Sequence, residues 1–226
     1  MTYAELVAAI SDYTENEFPT ASVNTFIQQA EQRIYNAVQF PVARKNTTVQ
    51  TTASDAYLAC PTDFLAVYAI AVIDGTGSYE FLINKDASFV RAAYPSPTAT
   101  GTPRYYALFG PTVAGSPTPV PTNELRFILA PTPNAVYSVE LQYYYYPTSI
   151  TLNSVAGNTT WLSDNLDSVL LYGSLVEAYT YMKGEADILA LYEGKYKEAL
   201  MLAKRLGDGL EGRDAYRNGQ IKVPVT

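Results

Sequence analysis

The sequence predicts an α+β fold: a four-helix-type α bundle built from N- and C-terminal helices, with an antiparallel β domain inserted between them. Three observations lead there. Apolar residues recur at helical spacing over residues 3–38 and again over 163–206. The stretch between them changes to two-residue alternation rich in Thr, Val, Ile and Tyr. The clusters Asp74-Gly75-Thr76-Gly77, Pro95-Ser96-Pro97 and Gly110 to Pro121 punctuate that middle region as turns and loops do. The expected division is residues 1–42 for the first helices, 43–160 for the β domain, 161–207 for a C-terminal helical hairpin and 208–226 for an extended arm.

Thr2 followed by Glu5 has capping-box spacing, and Leu6, Ala9, Ile10 and Tyr13 then predict a first helix over 3–13. Ser22 is a candidate cap for a second helix. There Val23, Phe26, Ile27, Ala30, Ile34, Ala37 and Val38 form one stripe, while Gln28, Gln29, Glu31, Gln32 and Arg33 face outward. Pro41 ends it.

In the middle region, Arg44–Thr52, Phe64–Ile73, Leu125–Leu129 and Tyr137–Tyr146 read as strands, within a domain of about six to eight short strands. Residues 84–94 carry Phe89, Val90 and Ala93 at helical spacing, a short helix among the strands. Ser163 or Asp164 begins a helix to Lys183, Gly184 breaks it, and a last helix runs from Glu185 to Leu206 with Gly207 closing it. The two should pair as an antiparallel hairpin.

Composition excludes several functional classes. The 226 residues are 48% hydrophobic, enough for a sizeable core. No run approaches the ~20 apolar residues of a membrane span, and the first residues lack the basic-then-apolar pattern of a signal peptide, so folding in a cytoplasm is expected. With no histidine, a Ser-His-Asp or Cys-His site is impossible within the chain, and one cysteine leaves no zinc ligand set. Cys60, in Leu58-Ala59-Cys60-Pro61, reads as a buried inert thiol. No glycine-rich phosphate loop is present, and no cofactor is expected.

A net charge of −7 opposes nucleic-acid binding through a basic surface. Asp63, Asp74, Asp86 and Glu124 are the acidic residues placed for a glycosidase-type pair, but nothing in their spacing pairs any two. Asp63 reads better as an Asx turn ahead of a strand. Trp161 reads either as a sugar-stacking ring or as a core anchor. Twenty tyrosines suit strands, where aromatic residues are favoured, and equally suit surfaces covered in a complex.

Six phrases in order, TYAELVAAISDYTEN, FIQQAEQRIYNAVQFPVAR, YLACPTDFLAVYAI, RYYALFG, LRFILAPTPNAVYSVELQYYYYP and TTWLSDNLDSVLLYGSLVEAYTYMKGEADILALYEGKYKEAL, carry a likeness over Thr2 to about Gly219. They resemble the head-to-tail adaptors of short-tailed bacteriophages, the tail tubular protein A family. The resemblance implies a non-enzymatic virion protein at the head-tail junction, made in the host cytoplasm. It implies a dodecameric ring of copies bound to the portal protein and to the next tail (nozzle) protein, with the genome passing through its channel unbound and no membrane involved.

The arm, with Arg213, Asp214, Tyr216, Arg217 and Lys222, is the candidate partner-contact segment, because it carries one aromatic and three basic residues beside glycines on an otherwise acidic chain. The alternatives are a carbohydrate- or receptor-binding tail protein, for which the aromatic β domain would be the working part, and a polysaccharide-degrading tail enzyme needing a carboxylate pair.

Overall fold

Both ends of the chain contribute to one helical unit, and the residues between them form a second, β-rich unit. The computed structural model describes residues 1–96, 98–110, 125–152 and 159–210. The first unit comprises Met1–Ala43 with Tyr146–Thr226, and the second Arg44–Tyr145.

In the helical unit, α1 (Tyr3–Thr14) starts at the expected capping box: Thr2 accepts from the Glu5 N–H and Glu5 accepts from the Thr2 N–H. The second helix, α2 (Thr20–Ala37), begins two residues before the expected Ser22 cap, without a side-chain cap. Instead the Pro19 carbonyl accepts from the N–H groups of Ser22 and Val23. A 3-10 turn at Pro41–Ala43 follows. After the β unit come α4 (Trp161–Asn165), α5 (Asp167–Met182) and α6 (Ala186–Leu210).

The cap expected at Ser163 or Asp164 is Thr160, whose hydroxyl and backbone N–H exchange hydrogen bonds with Ser163. The single helix expected from there is interrupted at Leu166, whose extended φ of −140° separates α4 from α5. At the end of α5, Lys183 rather than Gly184 takes the left-handed conformation, with φ 55°. Gly184 is needed for space: a Cβ there would lie 2.6 Å from the Tyr179 ring.

The expected stop at Gly207 is also displaced, since α6 continues through Asp208 to Leu210. Gly207 is instead a packing residue, where a Cβ would meet Val38 at 2.8 Å.

The core of this unit is drawn from α1, α2, α4, α5 and α6, with Leu6, Ile10, Ile27, Ile34, Leu162 and Leu170 fully buried. Each such side chain contributes about 1.5–3 kcal/mol relative to exposure. The fifth helix packs against α1, α2, α4 and α6. It is accordingly buried on several sides, with Val169, Leu170, Gly173, Ser174, Leu175, Val176 and Ala178 inaccessible and the Ser174 hydroxyl satisfied by the Leu170 carbonyl at 2.8 Å.

Residues 146–152, expected within the β domain, belong to the helical unit, with Ile150 in its core. Tyrosine is abundant here too: Tyr192 of α6 stands beside Tyr13, Tyr172 and Tyr179 with ring centroids 5.0–6.5 Å apart. That part of the tyrosine excess is therefore internal packing on helices.

The second unit holds ten strands among the described residues: β1 (Arg44–Gln50), β2 (Tyr57–Ala59), β3 (Ala66–Ile73), β4 (Tyr79–Phe81), β5 (Ile83–Asn84), β6 (Thr100–Gly101), β7 (Tyr105–Phe109), β8 (Arg126–Ala130), β9 (Thr132–Pro133) and β10 (Ser138–Tyr144). They form sheets in the orders β1-β10-β3-β4, β2-β8-β7-β5 and β6-β9. The first is antiparallel throughout, with Arg44 opposite Tyr144 and Gln50 opposite Ser138. Two pairings, β5 with β7 and β6 with β9, are parallel, so the antiparallel expectation does not cover the whole unit.

The β unit's main core combines both four-stranded sheets, with Ile70, Val72, Val139, Leu141 and Tyr143 from one and Leu58, Tyr106, Phe127 and Leu129 from the other. On the opposite face of β8, Ile128 and Ala130 join Val90 of α3 (Ala87–Ala93) and Ala107. Burial on both faces explains why Phe127–Ala130 is continuously apolar. The short helix expected at 84–94 is thus present, capped by Asp86 through the Ser88 N–H at 2.7 Å.

Two glycines make opposite predictions. A Cβ on Gly173 would lie 3.1 Å from both Ala30 and Tyr196, so Gly173→Leu should lower stability by about 1–3 kcal/mol in urea unfolding. Gly194 of α6 is exposed with nothing within 4 Å of its Cβ position, so Gly194→Ala should raise stability by about 0.4–1 kcal/mol.

Candidate assembly surfaces

Each acidic residue considered for catalysis among the described residues has a structural role. Asp74 caps its own turn, accepting from the N–H groups of Thr76 and Ser78 and the Thr76 hydroxyl. Asp86 caps α3. Asp63 does not make the expected Asx turn, which is closed by the Phe64 N–H donating to the Pro61 carbonyl at 3.1 Å. Its carboxylate instead receives Lys45 Nζ at 2.7 Å and the Tyr143 hydroxyl at 2.8 Å, tying the β3 approach to β1 and β10. The Lys45 hydrogen bond holds the Asp63 carboxyl below the usual range. Glu124 lies outside the described residues.

Cys60 is buried, and loss of solvent pushes its thiol up to about 12, so it packs as a small apolar side chain. Trp161 is half-buried with its ring 5.0 Å from that of Phe40, packed against the helical core as an anchor. Among the described residues, no helix is long and apolar enough to cross a membrane.

Among the large apolar side chains left in water, which also include Tyr68, Phe109, Val136 and Leu152, two groups fall on single elements. On α6, Leu202, Leu206 and Leu210 recur every four residues, with Met201 and Leu191 also exposed, while Tyr196, Ala203 and Gly207 face the core. Leu202 is 59% exposed although it lies in a well-formed helix. In the β unit, Tyr79, Phe81 and Ile83 alternate with Glu80 and buried Leu82, which puts three large exposed side chains on one side of β4 and its continuation. As β4 is an edge strand and Phe81 is 63% exposed, this border is suited to pairing or packing with another chain. Pattern reading missed the β4 border, because Tyr79–Ile83 is too short to show alternation.

A third feature lies where the chain re-enters the helical unit. Gln28 Nε2 donates to Thr151 Oγ1 at 2.7 Å, the Ile150 N–H donates to Glu31 Oε1 at 3.0 Å, and the Tyr146 hydroxyl donates to Asn36 Oδ1. Glu31, expected to face outward, is only 5% exposed. The segment 146–151 covers it, a contact between residues 119 apart in sequence. Burial raises its carboxyl above the ordinary value, opposed by the hydrogen bonds from Ile150 and Ser149.

The contact residues expected in the arm, Arg213, Asp214, Tyr216, Arg217 and Lys222, lie outside the described residues.

Asp63→Ala leaves the Tyr143 hydroxyl without its acceptor and should cost about 1–2 kcal/mol in chemical denaturation. Because Asp63 is depressed in the folded state, the stability it contributes is present above its unfolded value and lost as pH falls through the folded one. Glu31 has the opposite sign. Its raised value means that the folded protein retains a proton the unfolded chain has released, so stability falls as pH rises through the acid range. Glu31→Gln keeps an acceptor for Ile150 and should flatten that fall, melting above the parent at pH 7 and converging with it toward pH 4.

The family described as SU10 adaptor protein matches residues 1–222, nearly the whole chain. No individual curated protein matches the chain significantly. The chain belongs to the SU10 adaptor protein family, and is a phage adaptor, a structural protein of the virion.

Proposed function

We propose that this adaptor is one subunit of a ring, dodecameric by resemblance to the tail tubular proteins, seated at the head-tail junction between the portal and the next tail (nozzle) protein. In this reading the helices act as a four-helix-type bundle with the β unit as its insertion. Residues 211–226, with Arg213, Asp214, Tyr216, Arg217 and Lys222, supply the contact to a neighbouring subunit or the portal. The genome passes through the ring without specific binding, because a chain of net charge −7 offers DNA phosphates little to hold.

The observation that carries this reading, beside the family, is the pair of exposed apolar surfaces on α6 and at β4. A helix that leaves Leu202, Leu206 and Leu210 in water has a second apolar face beyond the one it uses inside its own fold. Such faces are stable in an assembly where partners cover them, with a few large side chains contributing most of the interface energy.

The test is reconstitution with the purified portal, read by native mass spectrometry and sedimentation. The parent chain should load many copies per portal ring. Leu202→Asp and Phe81→Asp, at exposed sites, should leave monomer stability within about 0.5 kcal/mol and reduce loading. Removal of residues after Leu210 should also weaken attachment. Saturation at one copy per portal, or unaltered loading by all three variants, would refute the proposal.

A further inference from the structure

The re-entry cleft contains a buried carboxylate that no basic side chain of the described residues pairs with. Gln28, Glu31, Gln32 and Tyr35 of α2 and Tyr146, Pro147 and Ser149 of the returning segment line a cleft of about 250 Å³. What offsets the burial of Glu31 is two hydrogen bonds, from the Ile150 N–H and the Ser149 hydroxyl, and among the described residues no basic side chain pairs with it. The one basic residue of α2, Arg33, is engaged elsewhere: it pairs with Glu177 of α5 and lies 5.0 Å from the Tyr196 ring centroid. A carboxylate this buried is costly to keep charged without a partner, while an opposite charge placed beside it with good hydrogen-bond geometry restores the balance.

We propose that this cleft is a receptor for an arginine side chain presented by another protein of the particle. The guanidinium suits each wall. Its planar fork matches a carboxylate, its face stacks on tyrosine rings such as Tyr35 and Tyr146, and Gln28, Gln32 and Ser149 add oxygen acceptors for the remaining N–H groups. Lysine, a compact and strongly hydrated charge, uses the aromatic walls less well. Only the source of the arginine rests on the adaptor reading; the chemistry of the cleft is independent of it and is tested on the isolated chain. An arginine seated here would also brace the 146–151 segment against α2, coupling attachment of a partner to the point where the chain returns from the β unit.

The experiment titrates ethylguanidinium chloride into the full-length chain labelled with 13C at glutamate side-chain carboxyls, at pH 7 and constant ionic strength. Tetramethylammonium chloride, which has charge but no N–H, is the control. The Glu31 resonance should move saturably with ethylguanidinium and not with tetramethylammonium. By amide chemical shifts, Glu31→Gln should bind about tenfold or more weakly, the loss expected for a charge-assisted hydrogen bond. Tyr146→Leu, which keeps Glu31, should weaken binding several-fold and covers the case in which the Gln variant does not fold. Absence of a saturable shift in the parent, an equal shift with tetramethylammonium, or unchanged binding by the folded variants would each overturn the proposal. Since none of these readouts involves a portal, their failure would leave the adaptor reading untouched.

Discussion

The helical unit depends on the burial of α5. Apolar on several sides, it is stable only when α1 and α2 arrive from one end of the chain and α6 from the other. Gly173 marks how closely these elements approach, with Ala30 of α2 and Tyr196 of α6 both 3.1 Å from its Cβ position. A packing requirement of this kind ties residues more than a hundred positions apart, and it lets the chain make a long excursion between α2 and α4 without dividing the core. The polar clamp of Gln28, Glu31 and Asn36 on residues 146–151 holds the chain where that excursion ends.

The β unit solves the same problem with sheets. β8 is buried on both faces, one against the other four-stranded sheet and the other beneath α3. β3 and β10 pair along most of their length. Polar side chains tie this frame as well, through the Lys45–Asp63–Tyr143 group, which a reading for carboxylate catalysis would have assigned to chemistry. With Asp63, Asp74 and Asp86 engaged as caps and pairs, the features that stand out are surfaces: the leucine row of α6, the β4 border and the cleft at Glu31.

Much of the fold was legible because it rests on periodicity. The stripe from Val23 to Val38, the Thr2 capping box and the strands around Ala66–Ile73 and Ser138–Tyr144 follow from local pattern. Boundaries were less legible where tertiary packing overrides local preference. Gly207 looks like a helix stop, yet it lies inside α6 because Val38 needs the space, and Leu166 interrupts a pattern that reads as one helix. The parallel pairings of β5 and β6 involve two-residue strands too short to carry a period. Glu31 occupies a position that α2's own pattern marks as outward, and only the distant segment around Ile150 makes it buried, so no local signal announces the cleft. Exposed leucines on α6 were legible as apolar residues but not as exposed ones, since a stripe and its surplus look alike before the partners are known.

Membership of an adaptor family and the apolar surfaces exposed among the described residues both suit the proposed role. The most direct measurement is electron cryomicroscopy of whole particles carrying a small tag at the chain's N-terminus. The account predicts symmetric density, one tag per subunit, in a collar between the portal and the tail, with the α6 leucines and the β4 border covered by neighbouring chains. Tag density at fibre tips or on the capsid shell, or a collar built entirely from other proteins, would contradict it.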